Sequence, residues 1–176
     1  MDIQKSFRVA APQAEVWEFI TSAERVATCL PGVKEVKVQA PGKYKGVMAI
    51  KVGPIKTSVN ADVVEREQRP PEYAVYEIKG EEGGRASRMN AEATLSLTGA
   101  AEDQTDVAFT ANVVIVGRLG KFAGGVMDKF ADSMSEQFIV DFRRQLEPEA
   151  DITAAGEKPG LWARFKAWLR RALFGY

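Results

Sequence analysis

Apolar and polar residues alternate in long runs between Tyr44 and Ile115, and beyond Gly117 the apolar residues recur every three or four positions. Period-two alternation marks strands with one buried face, and the longer period marks a helix with one buried stripe. Five long strands follow from the alternation. Tyr44–Val52 turns Tyr44, Gly46, Met48, Ile50 and Val52 to one side. After a turn at Gly53-Pro54, Ile55–Val63 presents Ile55, Thr57, Val59, Ala61 and Val63, with Lys56, Ser58, Asn60 and Asp62 opposite. Past Pro70-Pro71 the inward residues are Ala74, Tyr76 and Ile78. Past a turn at Glu81-Glu82-Gly83-Gly84 they are Ala91, Ala93, Leu95 and Leu97, and the last strand offers Val107, Phe109, Ala111, Val113 and Ile115. Ahead of these, Asp2–Val9 reads as a first strand. Ala11-Pro12 then opens a short helix through Val16, Trp17, Phe19 and Ile20, and a second short helix near Ala23–Leu30 stops at Pro31-Gly32.

Leu119, Phe122, Val126, Phe130, Met134, Phe138, Phe142 and Leu146 form one apolar stripe along a helix of about seven turns. The concave face of a curved antiparallel sheet is the only large surface available to cover it. The predicted class is therefore α+β, with the sheet wrapped around a long C-terminal helix. Residues 1–146 make up this domain. Residues 147–160, rich in Glu, Ala, Pro and Gly without periodicity, read as a flexible linker, and residues 161–176 as a separate amphipathic helix.

Many inward sheet positions are small: Gly46, Thr57, Ala61, Ala74, Ala91, Ala93 and Ala111. Small residues on facing surfaces give either close packing or an unfilled space, and a curved sheet around one helix favours the space. The candidate cavity lining on the sheet is Tyr44, Met48, Ile50, Val59, Ala61, Tyr76, Ile78, Ala93, Leu95, Phe109, Ala111 and Val113. On the helix it is Phe122, Val126, Phe130 and Met134. Only the two phenols titrate among the inward sheet positions, so acid–base chemistry lacks its usual groups there. Binding or carriage is favoured over catalysis. Gly117, Gly120, Gly124 and Gly125 serve equally well as a ligand portal or as sites of close packing.

Composition sharpens this picture. The chain contains no histidine and one cysteine, Cys29. That removes the commonest general base, the commonest metal ligand, and with them zinc hydrolases, Ser-His-Asp enzymes and Rieske centres. A lone cysteine also excludes an internal disulfide, and Cys29 is better read as a small buried hydrophobe than as a redox thiol. Met1–Ser6 has no apolar run, and no stretch approaches a spanning helix, which leads us to expect a cytoplasmic protein.

The charge is unevenly spread. After Glu157 there is no acidic residue, while Lys158, Arg164, Lys166, Arg170 and Arg171 follow. On a helical projection Leu161, Trp162, Phe165, Trp168, Leu169, Ala172, Leu173 and Tyr176 share one arc, opposite Arg164, Lys166, Arg170 and Arg171; only Phe174 is misplaced. Tryptophans at the boundary of a cationic amphipathic helix point to the bilayer interface. Residues Leu161 to Tyr176 are thus candidate membrane-binding residues, placing the protein peripherally at the inner face of the cell membrane. Docking on the domain itself or on a partner is the weaker alternative. Nucleic acid is weaker still, because the aromatics lie opposite the charges rather than among them.

Ala11-Pro12, Val16-Trp17-Glu18-Phe19-Ile20 and Cys29-Leu30-Pro31-Gly32-Val33 resemble the CoxG (CoxG-like) family associated with carbon monoxide dehydrogenase. So do Val52-Gly53-Pro54-Ile55 and Val116-Gly117-Arg118-Leu119-Gly120. The resemblance covers about residues 1–146. It implies the helix-grip fold of the START/Bet v 1-like (SRPBCC) superfamily, enclosing a hydrophobic cavity, and a membrane-binding C-terminal segment. It further implies an accessory role beside a molybdenum hydroxylase of the carbon monoxide dehydrogenase type, with a respiratory quinone or similar lipophile as ligand and no covalent or metal cofactor. Two other readings stay open: a recruitment adaptor with no specific ligand, and an enzyme on the same superfamily fold.

Overall fold

The computed structural model describes residues 1–122 and 125–147. In chain order the elements are β1 (Asp2–Val9), α1 (Gln13–Ile20), α2 (Ala23–Ala27), β2 (Val33–Ala40), β3 (Lys43–Val52), β4 (Ile55–Arg69), β5 (Tyr73–Glu82), β6 (Ser87–Ala101), β7 (Gln104–Gly117) and α3 (Gly125–Leu146). Short 3-10 turns occupy Gly83–Arg85 and Leu119–Phe122. The strands form one seven-stranded sheet in the order β1-β7-β6-β5-β4-β3-β2. Every neighbouring pair is antiparallel.

The alternation assigns the faces of β3 to β7 consistently, because directly opposed residues in an antiparallel ladder share a face. Met48 pairs with Val59, Tyr76 with Ala93, Ala93 with Ala111, and Leu95 with Phe109. The inner face continues onto β1, where Ile3 opposes Ala111 and Phe7 opposes Val107.

Three expectations need correction. Six strands follow the short helices, not five, the extra one being β2. Val33-Lys-Glu-Val-Lys-Val-Gln-Ala lies on the sheet edge with irregular pairing at Val33/Glu35 and Val38/Ala40, and each irregularity breaks the two-residue period. β4 runs on to Arg69 rather than stopping near Val63, past a similar shift at Glu65/Glu67. Finally, the long helix is not continuous from Leu119. A 3-10 turn holds Leu119–Phe122 and α3 begins at Gly125, so the buried stripe restarts at Met127 and leaves Val126 47% exposed.

The best-packed region lies where the C-terminal half of α3 meets β1 and α1. Phe142 is fully buried, with ring centroids 5.1 Å from Phe19, 5.4 Å from Phe138 and 5.9 Å from Phe7. Val9, Val16, Trp17, Leu95, Leu97, Val107 and Leu146 join this cluster, and Ala11, Cys29 and Ala74 sit in it as small apolar groups. Burial raises the Cys29 thiol above its ordinary value, against a partly offsetting contact with Thr28. A smaller cluster of Ile55, Val59 and Leu119 closes the other end of the domain.

Candidate ligand cavity

Between these two clusters α3 packs incompletely on the sheet. Two apolar chambers fill the gap, of about 210 Å³ and about 310 Å³. The first lies under the N-terminal half of α3, against Met48, Ile50, Val59, Val113 and Ile115 of the sheet and Met127, Phe130 and Ala131 of the helix. The second lies between Tyr76, Ala93, Leu95 and Phe109 of the sheet, Phe138 of α3, and Ile20, Val26 and Leu30 from the α1–α2 region. Met134 and Ser135 line both and form the partition. Ser135 turns its hydroxyl back to the Ala131 carbonyl at 2.8 Å, so it presents little polarity to either side.

The predicted lining residues divide accordingly. Met48, Ile50, Val59, Val113, Phe130 and Met134 line the first chamber, and Tyr76, Ala93, Leu95, Phe109 and Met134 the second. Tyr44, Ile78 and Ala111 are half-buried and line neither. Ala61 adjoins a separate charged groove with Lys37, Lys45 and Asp62. Phe122 packs on Ile55, Val59 and Leu119, and Val126 faces solvent, both consequences of the interrupted helix. Of the glycines, Gly117 and Gly120 serve close approach. A Cβ at Gly117 would lie 2.3 Å from the Ala86 carbonyl oxygen, and one at Gly120 2.7 Å from that of Ile115. Gly117 also adopts φ +88°, which disfavours other residues. Gly124 and residues 148–176, including nearly all of the expected linker and the whole expected membrane-binding helix, lie outside the described residues.

The expectation that only phenols titrate on the inner face is also corrected. Glu82, which read as part of a turn, ends β5 on the inner face opposite Val59 and is 1% exposed. It lines the first chamber together with Ser87. The Ser87 hydroxyl donates to it at 2.6 Å and Arg118 donates to its other oxygen. Ser87 in turn accepts from the backbone N–H of Leu119 at 2.8 Å. The bonds from Arg118 and Ser87 outweigh burial and pull the Glu82 carboxyl down to about 2. It is ionised at neutral pH and has no proton to give. Lys5 shares the inner face too, opposite Phe109, and is tied to Asp132 of α3 at 2.8 Å. Charge pairing was the missing signal: neither residue alternates with an apolar neighbour in a way that the sequence distinguishes from an exposed one.

Tyr76 differs from both. Burial, with the negative charge of Glu65 and the neighbouring Tyr44 adding to it, pushes its phenol far above the ordinary value. It remains a hydrogen-bond donor facing the second chamber. Among the described residues no group of three His, Cys, Asp or Glu could hold a metal ion, and no helix is long and apolar enough to cross a membrane.

The family model for CoxG, a carbon monoxide dehydrogenase component, matches residues 6–147. The chain belongs to this family. A search of curated proteins gives no match. Among solved structures the CoxG-family chain is similar to a conserved protein from Geobacillus kaustophilus, at TM-score 0.76 and 19% identity, over 82% of this chain and 94% of that one. It is similar to a START superfamily protein from Mycobacterium smegmatis at TM-score 0.67 and 15% identity, over 83% and 97%. It is also similar to the ZhuI aromatase/cyclase from Streptomyces sp. R1128 at TM-score 0.58 and 13% identity, over 82% and 94%.

The fold is START-like, and at these identities the likeness speaks for the fold alone. Within the CoxG-family chain, Cys29-Leu30-Pro31-Gly32 covers the second chamber through Leu30. There Gly32 takes φ +87°, where a Cβ would lie 2.5 Å from the Ala49 carbonyl oxygen. The motif thus fastens the end of the helical pair to β3. Ala49 donates its N–H to the Gly32 carbonyl at 2.7 Å. Chemically the arrangement offers an apolar surface with the Tyr76 phenol at one end and a carboxylate engaged by Arg118 and Ser87 at the other.

Proposed function

We propose that the protein is a membrane-tethered accessory of a molybdenum hydroxylase of the carbon monoxide dehydrogenase type. It binds a lipophilic ligand, a respiratory quinone, in the apolar cavity and links the enzyme to the membrane. The observation that carries this reading is the pair of adjoining chambers beneath α3, lined almost wholly by hydrocarbon and thioether side chains. An apolar chain moved from water into such a space gains about 25 cal/mol for each Å² covered. The family supports the choice of partner. The basic amphipathic segment Leu161–Tyr176 supports the tether, each cation near an anionic leaflet adding about 1 kcal/mol. Electrons leaving a water-soluble hydroxylase need a lipophilic acceptor, and a tethered carrier brings that acceptor out of the bilayer.

The test is solvent extraction of the full chain, purified after expression in a host with quinone-containing membranes, with mass spectrometry of the extract. Stoichiometric quinone is the expected result. An extract without any lipophile, from protein that still sediments with anionic vesicles, would overturn the carrier reading and leave a recruitment adaptor. Deleting residues 158–176 should abolish sedimentation with vesicles of one-third anionic lipid, while leaving the thermal unfolding midpoint unchanged. Retained sedimentation would overturn the tether.

A further inference from the structure

The two chambers differ in what they can say to a ligand. The chain has five methionines, and all of them, Met1, Met48, Met89, Met127 and Met134, line the first chamber. Methionine is unbranched and flexible at three bonds, so a wall of methionines adapts to a chain with no fixed shape. Of the two charged residues here, Glu82 is engaged by Ser87 and Arg118 and repels a carbonyl oxygen, and Arg88 is exposed and paired with Glu81 on the outer side. The second chamber has stiffer walls, among them Ile20, Val26 and Phe109, and its polar lining is the Tyr76 phenol with the smaller Thr94 and Ser135, the last turned back to Ala131. Among the described residues no side chain hydrogen-bonds that phenol, and burial keeps it protonated across the physiological range. It is a donor waiting for an acceptor.

We propose that the two chambers form one elongated site with a fixed ligand direction. A neutral lipophile lies with a carbonyl oxygen accepting from Tyr76 in the chamber below α2, and its flexible chain runs past Met134 into the methionine-lined chamber. This rests on the carrier reading above and deepens it by naming which end of the cargo goes where. Met134 is the hinge of the arrangement. Its side chain is half-buried and shared by both chambers, so a rotamer change joins them without moving backbone. A carbonyl head there lies beside the α1–α2 edge of the domain, the side from which a redox partner would reach it.

The experiment uses the full chain and two neutral probes with the same ten-carbon tail: decylubiquinone, which has carbonyl oxygens, and decylbenzene, which has none. Each is titrated to displace a bound neutral fluorophore, N-phenylnaphthylamine. In Tyr76→Phe, decylubiquinone should weaken about five- to tenfold, the worth of one neutral hydrogen bond, and decylbenzene should be unchanged. In Met134→Trp, or in Met134→Phe if the larger residue lowers the unfolding midpoint, both probes should weaken, since the passage is narrowed. If both probes bind the unaltered protein but Tyr76→Phe moves neither, the direction proposed here is wrong while the cavity reading stands. Unweakened decylubiquinone in both Met134 variants would equally overturn it. If neither probe displaces the fluorophore from folded protein, the carrier reading fails and takes this inference with it.

Discussion

The C-terminal half of α3 sets Phe138, Phe142 and Leu146 against β1 and α1, whereas its N-terminal half sets Met127, Phe130 and Met134 over open space. The same helix, on the same concave sheet, is packed at one end and hollow at the other. The sheet side explains the contrast. Phe142 meets the rings of Phe7 and Phe19, whereas the sheet lining of the chambers beside Met134 includes the small Gly80 and Ala93. Stability is concentrated where shape is filled, which frees the other end to trade packing for volume. Adjacent regions of one core can thus carry opposite tasks when large aromatic residues interlock in only one of them.

The comparison breaks first at Phe142. Phe142→Ala should lower the unfolding free energy by about 3–5 kcal/mol in urea titration, because an enclosed ring leaves a cavity its neighbours cannot fill. Met134→Ala, at a side chain already facing free space, should cost below about 2 kcal/mol in the same assay. Equal losses would mean that the hollow half is as strongly packed as the aromatic one.

The open end can be probed through pH. Glu82 lies at about 2 in the folded protein against an ordinary 4.5, held down by Arg118 and Ser87. Its contribution is fully present above pH 4.5 and is lost as pH falls toward 2, since the unfolded chain takes up the proton first. Glu82→Gln should therefore flatten the stability profile between those values and lower stability at neutral pH. An unaltered acid limb in the variant would show that the Glu82–Arg118–Ser87 junction does not hold the β7–α3 connection.

The smallest effect sharpens the contrast from the helix start. A Cβ at Gly125 meets nothing within 4 Å, so Gly125→Ala should stabilise by about 0.4–1 kcal/mol, by restricting the unfolded chain. The matching Gly117→Ala should destabilise by about 1–3 kcal/mol, at a positive φ and against the Ala86 carbonyl. A stabilising Gly117→Ala, seen as a raised melting midpoint, would contradict the close approach that anchors this connection.

Much of the architecture was legible because period-two alternation is a local property. The faces of β3, β4, β6 and β7 follow from Met48, Val59, Ala93 and Phe109 without any tertiary knowledge. β2 was not legible, since an edge strand with irregular pairing and charged neighbours has no alternation to detect. The aromatic end of the stripe, Phe138, Phe142 and Leu146, read correctly as core. Its beginning did not. The 3-10 turn at Leu119–Phe122 shifts the helical phase, moving Val126 outward and Met127 inward; the glycines of that stretch mark a weak helix start but not where the phase resets.

The site divides in the same way. Met48, Ile50, Tyr76, Phe109 and Met134 could be nominated as lining because each keeps the period of its own element. Glu82 could not, because a carboxylate at the end of a strand is ordinarily a solvated turn residue, and only Arg118 and Ser87 arriving from elsewhere make its burial tolerable.

The sequence alone determined the class of the fold, the inner face of most strands, the absence of histidine chemistry and the segregation of positive charge into the last 19 residues. Those are matters of composition and short-range period. Tertiary structure decided where the helix breaks, which half of it packs, that all five methionines meet in one chamber, and that Tyr76 and Glu82 stand at different ends of the hollow. The reason is distance along the chain: Met1, Met48, Met89 and Met127 become neighbours only when seven strands curl round one helix, and no local pattern encodes that meeting.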